Sequence, residues 1–328
     1  MVLMLVGMVM LPDGPPRRPA AQSVRVRDYY VTAEEVMWDF APARQNLVMN
    51  HAGHAARLPA TWAKSTRWKK LRYVEYTDDS FATRRPQPEW LGILGPILRA
   101  EVGDTVRVHF LNRTHGHYGM HPHGLRYTKD HEGAFYASAG RGARIPPGGR
   151  FTYEWIADET SGPGPADPSS LVWWYHSHVD EPAETNAGLL GPIVVTAKGR
   201  ARDDATPVDV DREVVVAFMI FDEARGEERG QMHAINGFIF GNLPSPVLKT
   251  GDRARWYVLG MGNEKDIHTA HWHGKTLRVQ GRNTDVIEVF PGGMVTADML
   301  ADNPGTWLLH CHVADHLNAG MMATYTIR

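Results

Sequence analysis

Residues 101–124 read EVGDTVRVHFLNRTHGHYGMHPHG, and residues 248–274 read LKTGDRARWYVLGMGNEKDIHTAHWHG. The second passage echoes the first, from a shared Gly-Asp to a closing His-x-His-Gly. Within GDTVRVHFLN, Val106, Val108 and Phe110 alternate with Arg107 and His109, the period of two of a strand with one buried face. The echo extends further. PPGGRFTYEWIADET parallels FPGGMVTADMLADNPGTW, and LVWWYHSHVDEPAETNAGLLGPIVV parallels TWLLHCHVADHLNAGMMATYTI. Short strands separated by Gly/Pro turns run throughout, and no long stretch has helical period. The chain therefore reads as all-β, with two copies of one sandwich or barrel domain. The break falls at the charged, turn-rich AKGRARDDATPVD. We expect a first domain at 24–197, a linker at 198–209 and a second domain at 210–328.

Composition excludes several classes. With 43% apolar residues among 328, packed cores are affordable, and a formal charge of −2 gives no electrostatic case for nucleic acid. No apolar run of ~20 residues marks a membrane span. The opening MVLMLVGMVML has the length of a signal-peptide apolar region, although a basic start and a clean cleavage site are missing. Residues 1–23 are expected to be an apolar or disordered segment, a remnant export signal being one reading, and the protein to be extracytoplasmic.

The surplus lies in histidine, with 17 residues, against a single cysteine. Each half holds two His-x-His pairs: His121/His123 and His176/His178, then His271/His273 and His310/His312. On a strand, residues i and i+2 share a face, so each pair presents two imidazoles side by side. Eight imidazoles in two equivalent halves can meet across a domain interface. His115/His117 sits among glycines and reads as a loop, not a ligand pair. In HCHVADHLNAGM, Cys311 lies between His310 and His312 and so faces the opposite side of its strand. A thiolate with two imidazoles and a weak thioether is the ligand set of a blue copper electron-transfer site. Cys311, His316 and Met321 supply three of these, and His268 the fourth. In the first half the matching positions are Ser177, Tyr118, about Pro182 and about Leu189, so one such site is expected, in the second domain.

At these residues the sequence resembles the multicopper oxidases, specifically the two-domain, laccase-like members. The wording of EWLGILGPILRAEVGD, HAINGFIFGNLP and LGMGNEKDIHTAHWHG is similar to their ceruloplasmin and hephaestin branch. The resemblance implies two Greek-key cupredoxin domains and four coppers per chain. Type 1 copper would take His268, Cys311, His316 and Met321, and type 2 copper His121 and His271. One type 3 copper would take His123, His176 and His312, the other His178, His273 and His310. The implied reaction is four one-electron oxidations of a small reductant coupled to reduction of O2 to water. Tyr127, Glu132 and Asp130 follow His123 and are candidates for proton supply.

The reductant is expected to be a phenol or aromatic amine, as in laccases. The alternative is a metal ion, Fe(II) or Cu(I), as in the ferroxidase branch. Asp315 matches an acid of that branch's iron site, and Asp222 and Glu223 echo a second acidic stretch in a much shorter loop. A copper nitrite reductase, whose blue-copper cysteine would sit in the first domain, and a non-catalytic cupredoxin module are remoter readings. Because one two-domain unit offers half of a trinuclear site in each domain, a homotrimer with intersubunit clusters is expected.

Overall fold

The computed structural model describes residues 25–51, 54–63, 65–224 and 230–328. The apolar run at the start, with its reading as an export signal, lies outside them. The strands of the first half are β1 (Val26–Asp39), β2 (Gln45–His51), β3 (His54–Arg57), β4 (Arg67–Tyr76), β5 (Leu98–Glu101), β6 (Thr105–Asn112), β7 (His121–Pro122), β8 (Arg150–Ile156), β9 (Ser170–His176) and β10 (Leu190–Thr196). Those of the second are β11 (Arg212–Asp222), β12 (Gln231–Ile235), β13 (Val247–Leu248), β14 (Arg253–Gly260), β15 (His268–Trp272), β16 (Leu277–Val279), β17 (Arg282–Thr284), β18 (Val286–Val289), β19 (Met294–Leu300), β20 (Gly305–Cys311) and β21 (Met322–Ile327).

Each half is a sandwich of two sheets. The first half stacks β4-β1-β6-β8 on β5-β10-β9-β7, with β2 and β3 forming a separate hairpin. The second stacks β12-β11-β14-β19-β16-β17 on β13-β21-β20-β15-β18. Mixed pairing gives the crossovers: β1 runs parallel to β6 and β11 parallel to β14, while the remaining long ladders are mainly antiparallel. The alternation read in β6 is present, with Val106, Val108 and Phe110 buried in the first core beside Tyr153 and Trp155. His115 is exposed in a loop and bonded to Glu35, as expected for a non-ligand. No helix among the described residues is long and apolar enough to cross a membrane.

The repeat keeps its register at the histidines. In the first half His121 faces His176 across β7 and β9, and in the second His271 faces His310 across β15 and β20. The glycines closing the two His-x-His-Gly motifs show why nothing larger follows them. Gly124 and Gly274 have φ of 68° and 76°, and a Cβ on either would lie 2.1 or 2.4 Å from the ring of Trp173 or Trp307. Each of those indoles lies three residues before the first histidine of its strand's His-x-His pair and packs against the core of its own sandwich.

The halves are joined by a third apolar core. Ile93, Trp174 and Val194 of the first half meet Val215, Ala217 and Leu259 of the second. This explains why β10 and β11 read as nearly unbroken apolar runs: each is buried on both faces. Two cations lock the seam. Arg255, 2% exposed, grips Asp298 with bonds of 2.7 and 3.0 Å and reaches the hydroxyls of Ser169 and Ser170. Lys70 pairs with Glu223 and lies 4.8 Å from the Phe221 ring.

Candidate metal centres

In the second sandwich, His268, Cys311 and His316 converge in full burial. Strand alternation places them. Along β15 the residues His268, Ala270 and Trp272 point into the core, while His271 points the other way. Along β20 Cys311 belongs to the core, and its neighbour His310 belongs to a second site. Two adjacent strands thus each feed two sites, one on either face. The Cys311 sulfur lies 3.6 Å from His316 Nδ1 and 3.9 Å from His268 Nδ1, and the two Nδ1 atoms are 3.2 Å apart. Burial opposes ionisation of the thiol, but hydrogen bonds from His268 and His316 outweigh it and bring its pKa down to about 6. A thiolate is what a metal needs. Met321 is fully buried in the same core, and its carbonyl accepts the Cys311 N–H at 3.0 Å.

Sequence reasoning missed what orients this site. Asp266, fully buried, lies 3.1 Å from His268 Nε2 and accepts the backbone N–H groups of Ile220 and Asn263. It fixes the imidazole so that Nδ1 faces the sulfur. Among the described residues of the first half no such site is found. Ser177 replaces the cysteine, and its hydroxyl accepts the Gly119 N–H at 3.2 Å.

The eight histidines expected around the oxygen site form two quartets. His121 lies with ring centroids 5.6, 5.6 and 5.2 Å from His123, His176 and His178, and His123 Nε2 approaches His176 Nε2 at 3.0 Å. In the second quartet His271 is 4.5, 5.1 and 5.4 Å from His273, His310 and His312. Tautomers are set by the backbone. His121 Nδ1 bonds the Glu132 carbonyl at 2.7 Å, His176 Nδ1 that of Ser177 at 2.9 Å, and His310 Nδ1 that of Cys311 at 2.8 Å. Each then offers Nε2 to a metal. Burial, reinforced by neighbouring imidazoles, takes the pKa of His123 down to about 4, and burial likewise lowers His176 to about 4. These rings are neutral donors. Among the described residues no ring contact or hydrogen bond joins one quartet to the other. Among the described residues, the groups that could hold one ion are His121, His123 and His176 in one quartet and His271, His273 and His310 in the other.

Of the three proton candidates, the ring of Tyr127 packs 5.8 Å from His121. Burial, and the charge of Glu132, raise its pKa. Glu132 bonds the quartet through its carbonyl, and its charge also acts on His121. Its carboxylate is held by Lys129 and by Tyr136 at 3.0 Å, which outweigh burial and keep it ionised. Asp130 is spent on Arg141 at 2.7 Å. Two unforeseen carboxylates are better placed. Glu181 lies 3.3 Å from His178 Nε2, and Asp285 lies 3.6 Å from His271 Nε2. Glu181 stands three residues after His178, a spacing that could have been noticed.

Beside the thiolate site opens a cavity of about 600 Å³, lined by His316, Asp315, His233, Gln231, Trp62 and Ile220. The exposed Asp315 carboxylate has no protein partner among the described residues. His233, set aside in the sequence as a scattered histidine, has its ring 5.1 Å from that of His316, and its Nδ1 is buried without a partner. Neither Asp222 nor Glu223 lines this cavity. Glu223 is turned into the seam by Lys70, which removes it from the acidic stretch its sequence position suggested.

Fold and site together define a copper-type protein: paired cupredoxin-like sandwiches, one thiolate–imidazole centre and two histidine quartets. The donor set suits copper, with a softened thiol and imidazole nitrogens freed by their tautomers. Two family models described as multicopper oxidase match residues 91–200 and 209–328, and the chain belongs to the multicopper oxidase family. It is 38% identical to human hephaestin over 339 residues and 34% identical to human ceruloplasmin over 335, covering 92% of this chain in both cases. Human Ferroxidase HEPHL1 is 37% identical. The chain spans only 29% of hephaestin and of Ferroxidase HEPHL1, and 31% of ceruloplasmin. The fold matches a blue copper oxidase from Nitrosomonas europaea with a TM-score of 0.63 at 21% identity, covering 92% of this chain and 86% of that one. It also matches a copper nitrite reductase from Nitrosomonas europaea with a TM-score of 0.64 at 17% identity, covering 93% and 94%.

Proposed function

We propose that this chain is an oxidase unit that draws single electrons from a reductant held beside His316 and delivers them to oxygen at a site built from histidine quartets. One observation carries the reading. Cys311 points into the thiolate site, while its covalent neighbours His310 and His312 belong to a quartet. The path between the two centres is a few bonds of one strand, on the order of 10–15 Å. Copper, when bound, supplies the one-electron chemistry at the first centre and the reduction of O2 at the second.

The chain's own residues do the rest. Asp266 orients His268, and the backbone carbonyls hold the quartet tautomers. Tyr127 and Glu181 stand where protons are consumed. For the reductant, a metal ion such as Fe(II) is favoured over the phenol of the laccase reading. The cavity beside His316 offers an unpaired carboxylate, Asp315, and the unpartnered nitrogen of a neutral His233. Burial, and the neighbouring His316, take the His233 pKa down to about 3, so it keeps a lone pair at neutral pH. Relatives named ferroxidase point the same way. The laccase reading retains support from Trp62 and Ile220, which give the cavity an apolar wall.

The separation of the quartets supports completion of the oxygen site by a second copy, and six sandwiches closed by rotation give a homotrimer. The copper-loaded protein is expected to be blue, with about four coppers per chain. Cys311→Ser is expected to bleach the colour and stop turnover while the quartets keep their metal. Asp315→Ala is expected to raise KM for Fe(II) by about tenfold and to change a neutral phenol's by less than about twofold. Equal losses on both would remove the metal ion as the substrate at this cavity. Retained turnover in Cys311→Ser would remove the electron route itself.

A further inference from the structure

The structure holds a second cavity, of about 460 Å³, lined by none of the residues that gather around the thiolate and the quartets. It opens where β1 and β4 of the first sandwich meet the segment Phe238–Pro244 of the second. Its walls are aromatic and prolyl: Trp38 and Phe238, with ring centroids 5.0 Å apart, and the rings of Pro88 and Pro244. Three guanidinium groups line it. Two are already matched, Arg84 to Glu34 at 2.5 Å and Arg85 to Glu75 at 2.8 Å.

Arg72 is not matched. Its Nε is buried with no partner, and among the described residues no hydrogen bond or ion pair reaches any of its nitrogens. The ring of Trp38 lies 5.9 Å away, and the carboxylate that acts on it electrostatically, Glu34, is already bonded to Arg84. A cation removed from water without a counter-ion is unfavourable, and burial pulls the Arg72 pKa below its ordinary value. Every other deeply set cation described above has an acid or a carbonyl: Lys70 has Glu223, and Arg255 has Asp298. With Arg84 on Glu34 and Arg85 on Glu75, Arg72 is the one lining guanidinium left free, and it can take one singly charged anion. A multiply charged phosphate would face two carboxylates with only one guanidinium free.

We propose that this cavity is a binding site for a small organic monocarboxylate, its carboxylate on the free guanidinium of Arg72 and its apolar body between Trp38 and Phe238. The cavity has the size of ordinary small-molecule sites, roughly 300–1,000 Å³. A guanidinium fork suits a carboxylate in shape as well as charge. Since the walls come from both sandwiches, occupancy also ties them together and raises thermal stability by mass action.

The test uses the full copper-loaded chain and benzoate as the probe, with inorganic phosphate as the comparison, followed by calorimetric titration and thermal melting. Benzoate is expected to bind saturably and to raise the Tm. Arg72→Met is expected to weaken that binding by about tenfold or more, the loss of one charge-assisted contact of ~1.4 kcal/mol. Phosphate is expected to bind no tighter to wild type than to Arg72→Met. Glu89→Gln, at an exposed rim position, removes one negative charge and is expected to tighten benzoate by about twofold. Should Arg72→Met not fold, Glu89→Gln decides alone. Binding that survives Arg72→Met, phosphate that competes on equal terms, absence of saturable benzoate binding, or a Glu89→Gln variant that binds no tighter would each overturn the proposal.

Discussion

Asp266 does more for the thiolate centre than its place in the sequence announces. It is a buried carboxylate that accepts two backbone N–H groups and so cannot swing away, and it presents one oxygen to His268. Removing its charge while keeping its shape leaves the imidazole unheld. Asp266→Asn is expected to lower copper affinity at this centre by about 10–100-fold and to shift the blue absorption band, with the quartet coppers retained. Copper titration followed at the blue band checks this, and an unchanged band with unchanged affinity would show Asp266 to be a fold residue only. The grouping of these side chains was legible because alternate residues of a strand share a face, which brings each His-x-His pair of the quartets together and turns Cys311 away from His310. Asp266, Glu181, Asp285 and His233 were not, since a carboxylate or a lone imidazole becomes informative only when chain-distant atoms close around it. Asp130, near the quartet in sequence, has its carboxylate on Arg141 at 2.7 Å, a pairing no local pattern announces.

The strands β7 and β9 carry a cost that copper hides. His123 and His176 are held with pKa values of about 4, against an ordinary 6.5. A base whose folded pKa is depressed binds fewer protons folded than unfolded. Acid therefore favours the unfolded chain throughout the interval between those values. The copper-free protein is expected to lose stability as pH falls from about 6.5 toward 4, and the double variant His123→Gln with His176→Gln to lose less over the same interval. Urea unfolding midpoints at pH 7 and pH 5 measure this, and a midpoint that rises or holds steady on acidification in the wild-type chain would contradict it. Buried Glu75, Glu184 and Glu223, whose pKa values burial raises, pull the opposite way, so the comparison between the variants is the sharper reading. The long strands were legible from alternation, β6 above all. The two-residue β7 was not, because it is too short for any period; its register against β9 is fixed by the neighbouring glycine, Gly124, under Trp173.

Assembly is where sequence told least and where the protein is most open to test. The repeat revealed two halves, but not that each would keep its histidines to itself, since that depends on how the sandwiches pack. If a second copy completes the oxygen site, two crippled chains can repair one another. A variant with His121→Ala and His123→Ala, and one with His271→Ala and His273→Ala, are each expected to be inactive alone. Coexpressed, they are expected to recover a fraction of wild-type turnover, because some contacts join two intact halves. Mixed oligomers of verified composition without activity, or a fully active monomer, would rule this arrangement out. The seam between the sandwiches bears on how such proteins arise. Trp174, Val194, Val215 and Leu259 bury both faces of the strands that meet there, so a lone sandwich would carry a wide apolar wound into water. Selection could not have dealt in single sandwiches of this design. A pair welded in this way can be inherited, duplicated or lost only as one unit.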